Sequence, residues 1–186
     1  MNKIYIKTTL ELLGLQIFFS VLAMVFSTNF SWMDNWAVIF SLLTAWLFLG
    51  AVHSTFWQMG HKDSKNNVIA NNHLLPDESE IKLNRFKGAK VGLPFFVINT
   101  AIVLVTMIFD SGSDGNGGLL FIIHRIMLGS LFGFIPDGGA YWYVCFALCF
   151  VMYVPCITAY ISGTYHFSLT ERIVPKLIYK TTDKKD

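Results

Sequence analysis

Charge is the scarcest property of this 186-residue chain, since Asp, Glu, Lys and Arg make up only 14% of it. An ordinary soluble domain carries about 25%, and so few charges cannot cover the surface of a soluble protein this size. The formal net charge of +2 leaves no basic bulk with which to hold nucleic acid. Cysteine is scarce as well. Three of them, Cys145, Cys149 and Cys156, form an odd set within one apolar stretch, which excludes a secreted disulfide framework. Neither HExxH nor GxSxG occurs, and GAKVG (Gly88 to Gly92) lacks the Lys-Ser/Thr that completes a phosphate loop. GAKVG instead reads as a hinge. No internal repeat gives support to an inverted-repeat transporter, and disorder, collagen-like repeats and coiled coils are excluded on composition.

What the chain has in excess is apolar residues. They make up 54% of it and include 17 Phe, and the mean hydropathy is +0.51. The composition is that of an integral membrane protein, and the length suits a single membrane domain over 1–186. A hydrocarbon core of about 30 Å needs about 20 apolar residues of helix. Four stretches qualify, at 9–27, 36–58, 93–110 and 141–163. Only helices satisfy every backbone group of such segments in lipid without leaving an open edge. The fold class is therefore all-α, polytopic, with four transmembrane helices. The first stretch follows Lys3 and Lys7 as a signal peptide would, but it is longer than a signal h-region and no A-x-A-like site follows, so it reads as retained.

A fifth apolar run, 119–135, carries His124 and Arg125 and is broken by Gly129, Ser130 and Gly133. Charge placement decides its status. With four spans, Lys3, Lys7, the basic residues of a central loop (60–91) and those of a tail (164–186) all fall on one side. Of the 14 Lys and Arg, Arg125 alone falls on the other. The positive-inside rule makes the crowded side cytoplasmic and places both termini there. If 119–135 also spanned, the tail charges would move outside, so this run is expected to be an outer interfacial or re-entrant helix. Trp32, Trp36, Tyr141, Trp142 and Tyr143 suit the outer interface, and Trp57, Tyr160 and Tyr165 the inner one. Two capping-box patterns, Thr8-x-x-Glu11 and Ser168-x-x-Glu171, mark helix starts.

Glu11 and His53 are the candidate proton or ion pair. Each lies about 25 Å down its helix from the outer loop, and an ionisable group at membrane depth is a functional candidate by default. The plainer reading makes Glu11 a helix cap and His53 a snorkelling side chain. Ser20 and Thr44 fall at equal depth and could hydrogen-bond across the first two helices. Polar Gln16, Asn99 and Thr100 also lie within spans. Lys82, Arg85, Phe86, Lys87 and Lys90 of the central loop, with Arg125 outside, are candidate lipid or partner contacts. Cys145, Cys149 and Cys156 share one helical face and read as packing rather than as a metal site, and Pro155 as a bend that shapes it. No cofactor or metal is implied. Asp110 to Gly118 lacks the twelfth-position Glu of a calcium loop.

The stretches GHKDSKNNV (60–68), RFKGAKVGLP (85–94) and GTYHFSLTERIVPKLIYK (163–180) resemble loop and tail motifs of small multi-pass membrane proteins of Gram-positive, Clostridia-type bacteria. The resemblance covers most of the chain. It implies a bacterial cytoplasmic membrane and four helices, and it carries no activity. The expectation is a non-catalytic component acting through partner or lipid binding, its partners being the bilayer and another membrane protein or a second copy of itself. The alternatives are a small transporter or export/immunity component working as an oligomer, and a membrane enzyme, for which no nucleophile or metal triad is visible. The charge asymmetry makes a direct prediction. A fluorescent protein that matures only in cytoplasm should glow when fused after Asp186, and an alkaline phosphatase fusion there should be inactive. The opposite pattern would put the tail outside.

Overall fold

A computed structural model of the chain describes residues 2–29, 36–73, 79, 81–110, 123, 127–134 and 142–165. They form α1 (Asn2–Asn29), α2 (Trp36–Asn72), α3 (Lys87–Asp110), a 3-10 turn (Gly129–Phe134) and α4 (Trp142–Thr164). Each of the four α-helices is long and apolar enough to cross a membrane, so the chain is a multi-pass membrane protein by length and composition.

The helices run past the apolar stretches at several ends, for local reasons. α1 starts at Asn2, so Thr8 and Glu11 are helix-interior residues and not a cap. Helix two was expected to end at 58, yet α2 continues to Asn72. Its polar extension contains no proline, and the first one met afterwards is Pro76, whose preceding residues disfavour helix. α3 begins at Lys87 rather than 93. Asn84 starts it, its side-chain Oδ1 accepting the Phe86 N–H at 3.1 Å and its carbonyl the Lys87 N–H at 3.2 Å. The central loop accordingly shrinks to 73–86, and GAKVG is the first turn of α3 instead of a hinge.

α4 is the centre of the bundle. It packs along α2 and α3, α1 packs on α2 and α3, and the 3-10 turn lies against α1 and α2. Leu12, Phe48, Phe56, Phe95 and Met152 fill the core, while residues such as Leu10, Phe18, Trp46 and Phe150 face outward, as a lipid-facing surface requires. Two pairs of glycines set the helix spacing. A Cβ on Gly60 would overlap the Tyr160 carbonyl, and one on Gly163 would overlap the Trp57 carbonyl, so α2 and α4 cross backbone to backbone. Gly88 and Gly92, four apart on α3, face Tyr160 and Cys156 in the same way. This is the small-xxx-small packing of membrane helices. Tyr160 is fully buried at this crossing, between the helices and not on the outside of the bundle. The three free cysteines are buried on the same side of α4.

Of the run 119–135, residues 123 and 127–134 are described, and no interfacial helix is seen among them. Met127, Leu128, Ser130 and Leu131 are buried, and the backbone turns as a 3-10 segment. The structure of the tail beyond 165, with its Ser168–Glu171 pattern, lies outside the described residues, as do His124, Arg125 and the loop from Ser111 to Gly118.

The glycine crossings predict an ordered stability series in detergent. Gly60→Val and Gly163→Val should each cost 1–3 kcal/mol, in the range of overpacked cores, or prevent folding. Gly14→Ala and Gly50→Ala, where nothing lies within 4 Å, should change stability by less than about 1 kcal/mol. Unfolding followed by circular dichroism checks the order, and equal effects at all four positions would refute it.

Candidate functional site

Two clusters of polar groups are built by the bundle. The first is inside it. Gln16 on α1 is wholly buried, and its Nε2 donates to Asn99 Oδ1 on α3 at 2.7 Å and to the Met127 carbonyl at 2.5 Å, with Met152 Sδ at 3.7 Å. Asn99 in turn donates from Nδ2 to the Phe95 carbonyl at 3.0 Å. Carbonyls can only accept, so Phe95 fixes the Asn99 amide and Met127 fixes that of Gln16. Along the helices, Gln16 lies about 20 Å from the Asn29 end of α1 and Asn99 about 16 Å from the Asp110 end of α3. One turn along α1, Ser20 Oγ accepts the Ser130 N–H at 3.2 Å. Gly129 rests on the Ser20 backbone, where a Cβ would come within 2.9 Å of Ser20 Cβ. α1 and the 3-10 segment are therefore joined by two rungs, Gln16–Met127 and Ser20–Ser130.

This corrects one pairing. Ser20 and Thr44 are both buried, but they do not bond to each other. Ser20 holds the segment, and the Thr44 hydroxyl donates back to the Phe40 and Ser41 carbonyls of its own helix, at 2.8 and 3.1 Å.

The second cluster lies at the end where α2 and α3 are joined. Asp63 on α2 accepts from Lys87 Nζ on α3 at 2.7 Å and from Tyr160 Oη on α4 at 2.9 Å, so one carboxylate ties three helices. Tyr153 Oη adds a bond to the Ala89 carbonyl at 3.0 Å. The loop is clasped onto α2 by Asn71, whose Oδ1 accepts the Ile81 N–H at 2.9 Å and whose Nδ2 donates to the Ile81 carbonyl at 3.3 Å. On this scaffold Lys82, Arg85 and Lys90 are exposed, Phe86 is 68% exposed, and the Arg85 guanidinium sits 5.2 Å from the centre of the Tyr165 ring.

The candidate residues thus divide. Lys82, Arg85, Phe86 and Lys90 are presented together at one end, whereas Lys87 is engaged by Asp63. Glu11 pairs with Lys7 one turn earlier on α1, at 3.7 Å, and both are exposed. His53 is exposed on α2, and among the described residues no ion pair joins it to Glu11. The structural setting of Arg125 lies outside the described residues. Among the described residues no three of His, Cys, Asp and Glu come together. Asp63 went unremarked in sequence, Tyr160 was read only as an interfacial aromatic, and Ser130 only as a break in an apolar run. The readable signal for the first two was the GxxxG spacing of Gly88 and Gly92, which brings the start of α3 against α4. For Ser130 no sequence signal exists, because its partner is set by a fold-back that hydropathy does not encode.

The chain matches no protein-family model, and no curated protein or solved structure is significantly similar to it.

The amide pair predicts a coupling. In a double-mutant cycle of Gln16→Ala and Asn99→Ala, the interaction energy should be about 0.6–2 kcal/mol, as for polar pairs between membrane helices. Denaturant titration of the four proteins in one detergent measures it, and strictly additive effects would contradict the pairing.

Proposed function

We propose that the chain is a non-catalytic component of a bacterial cytoplasmic membrane, with both termini cytoplasmic, that acts by binding an anionic partner at its cytoplasmic end. The observation that carries this reading is the exposed set Lys82, Arg85 and Phe86 on a loop clasped by Asn71, with exposed Lys90 in the first turn of α3. Exposed Lys62 and Lys65 on the α2 extension add to it. Three features support binding over chemistry. Lys82, Arg85 and Lys90 are exposed and, among the described residues, form no ion pair. Phe86 and Ile81 offer apolar surface beside them. The scaffold beneath is rigid, since Asp63 holds α2, α3 and α4 together. Headgroup phosphates are the nearest anions to such a loop, and each Lys or Arg near an anionic surface contributes about 1 kcal/mol. An acidic surface on a second membrane protein offers the same chemistry.

The buried Gln16–Asn99 pair favours a second reading, a small transporter or export/immunity component. Four helices without a repeat would enclose a path only as an oligomer. Glu11 and His53, both on the outer surface of one chain, would then meet groups of a neighbouring copy.

Extraction in mild detergent followed by native mass measurement separates the readings. The parent protein should carry an anionic lipid or a partner protein, and Lys82→Gln, Arg85→Gln and Lys90→Gln combined should release most of it. A bare homo-oligomer whose behaviour is untouched by the triple substitution would overturn the binding reading. It would also direct attention to Glu11→Gln and His53→Ala.

A further inference from the structure

Lys90 stands midway between the two glycines that seat α3 on α4, so it lies about 200° round the helix from each. Gly88 and Gly92 meet Tyr160 and Cys156, and Lys90 is accordingly exposed on the side away from α4. Phe86 is one turn earlier, its carbonyl accepting the Lys90 N–H at 3.1 Å. Leu93, Val97, Ala101, Leu104 and Ile108 are exposed too, and at 3.6 residues per turn all five lie within about 60° of Lys90. One cation thus heads an unbroken apolar stripe. Val97 is about 10 Å and Ala101 about 16 Å further along the axis, so the stripe as far as Ala101 matches one leaflet of a core about 30 Å thick. α1 offers no such head. Its Lys7 is answered by Glu11 at 3.7 Å, whereas Lys90 and Arg85 form no ion pair among the described residues.

We propose that this face of α3 binds one anionic phospholipid, its phosphate at Lys90 and Arg85 and an acyl chain along Leu93, Val97 and Ala101. The inference rests on the binding reading above and names the partner. A ligand for this face needs an anion joined to a long apolar chain, and an inner-leaflet phospholipid has that form. The stem of Lys90 lies along the stripe while its ammonium reaches up to the phosphate. Arg85 comes just before Phe86, and its guanidinium lies 5.2 Å from the centre of the Tyr165 ring at the end of α4, so it belongs to the same level. Lys82 is placed differently. The Asn71 clasp holds its neighbour Ile81 eight residues along α2 from Asp63, about 12 Å beyond the pair with Lys87. A lipid held by α3 therefore leaves Lys82 out, whereas an acidic protein docked on the loop would engage it.

The test uses the purified full chain, stripped of lipid in mild detergent and offered equal amounts of dioleoyl phosphatidylglycerol and dioleoyl phosphatidylcholine. Native mass spectrometry counts the lipid retained. The proposal expects a single anionic lipid per chain, favoured over the zwitterionic one by about fivefold or more, the factor that one cation near an anionic group contributes. Lys90→Gln should remove most of this preference, Lys90→Arg should restore it, and Lys82→Gln should leave it intact. Each variant should keep the parental Tm without lipid, because these side chains are exposed and form no ion pair among the described residues. A Tm lost by Lys90→Gln in the absence of lipid would make the lysine structural and overturn the proposal. Equal retention of the two lipids would overturn it as well, and so would a Lys82→Gln variant as impaired as Lys90→Gln. If a protein copurifies instead, and the triple substitution releases it, the lipid assignment falls and the binding reading survives. If neither lipid nor protein is held, both fall.

Discussion

One carboxamide holds this bundle's interior together. Gln16 reaches from α1 to Asn99 on α3 and to the backbone ahead of the 3-10 turn, so a single side chain fixes the relative positions of three elements. In a membrane no water competes for these bonds, and lipid offers no alternative partner. Apolar contacts between the helices resemble contacts with lipid tails, so they set little beyond a close fit. The direction and register of α1 relative to α3 therefore rest on the polar pair. The 3-10 segment depends on it even more. It is seated because Gln16 donates to the Met127 carbonyl, Ser20 accepts the Ser130 N–H and Gly129 lets it approach α1, with α2 packed against it as well.

The opposite end of the bundle is organised by backbone approach. Gly60 with Gly163, and Gly88 with Gly92, bring α2 and α3 close enough to α4 for Asp63 to reach both Lys87 and Tyr160. The sequence of causes runs from missing side chains to short helix spacing to a shared carboxylate. An Asp–Lys pair here is half-buried, so its Coulombic gain is offset by lost hydration. The tyrosine supplies the further hydrogen bond that makes the arrangement worthwhile. What this end presents outward is then a loop whose Lys82 and Arg85 form no ion pair among the described residues.

Hydropathy alone makes the four spans legible, because a run of about 20 apolar residues has few other uses. Helix ends were less legible. The polar stretch from Met59 to Asn72 carries no apolar signal, yet it stays helical because nothing in it interrupts the hydrogen-bond ladder begun in the apolar part. Gln16 and Asn99 could be singled out as polar residues in spans, but their pairing needed the third dimension. Depth counting set Ser20 level with Thr44, and both are buried. It failed on the partner, since it took no account of a segment inserted against α1. The choice between surface-lying and inserted for 119–135 was likewise beyond composition. Glycines and a serine in an apolar run suit either, and what the structure adds is that Met127, Leu128, Ser130 and Leu131 are buried against the bundle.

The length of α2 has a mechanical consequence. Its 37 residues make a rod of about 55 Å, and a hydrocarbon core is about 30 Å thick. The helix is thus about 25 Å longer than such a core is thick, and the Asn71 clasp lies near its polar end. A continuous helix cannot shorten, so it answers a thinner bilayer by leaning. A lean of about 20°, ordinary for such helices, carries the tip sideways by about 8–9 Å. Because α2 is tied to α3 and α4 at Gly60 and Asp63, such a lean belongs to the bundle as a whole and moves the loop with it.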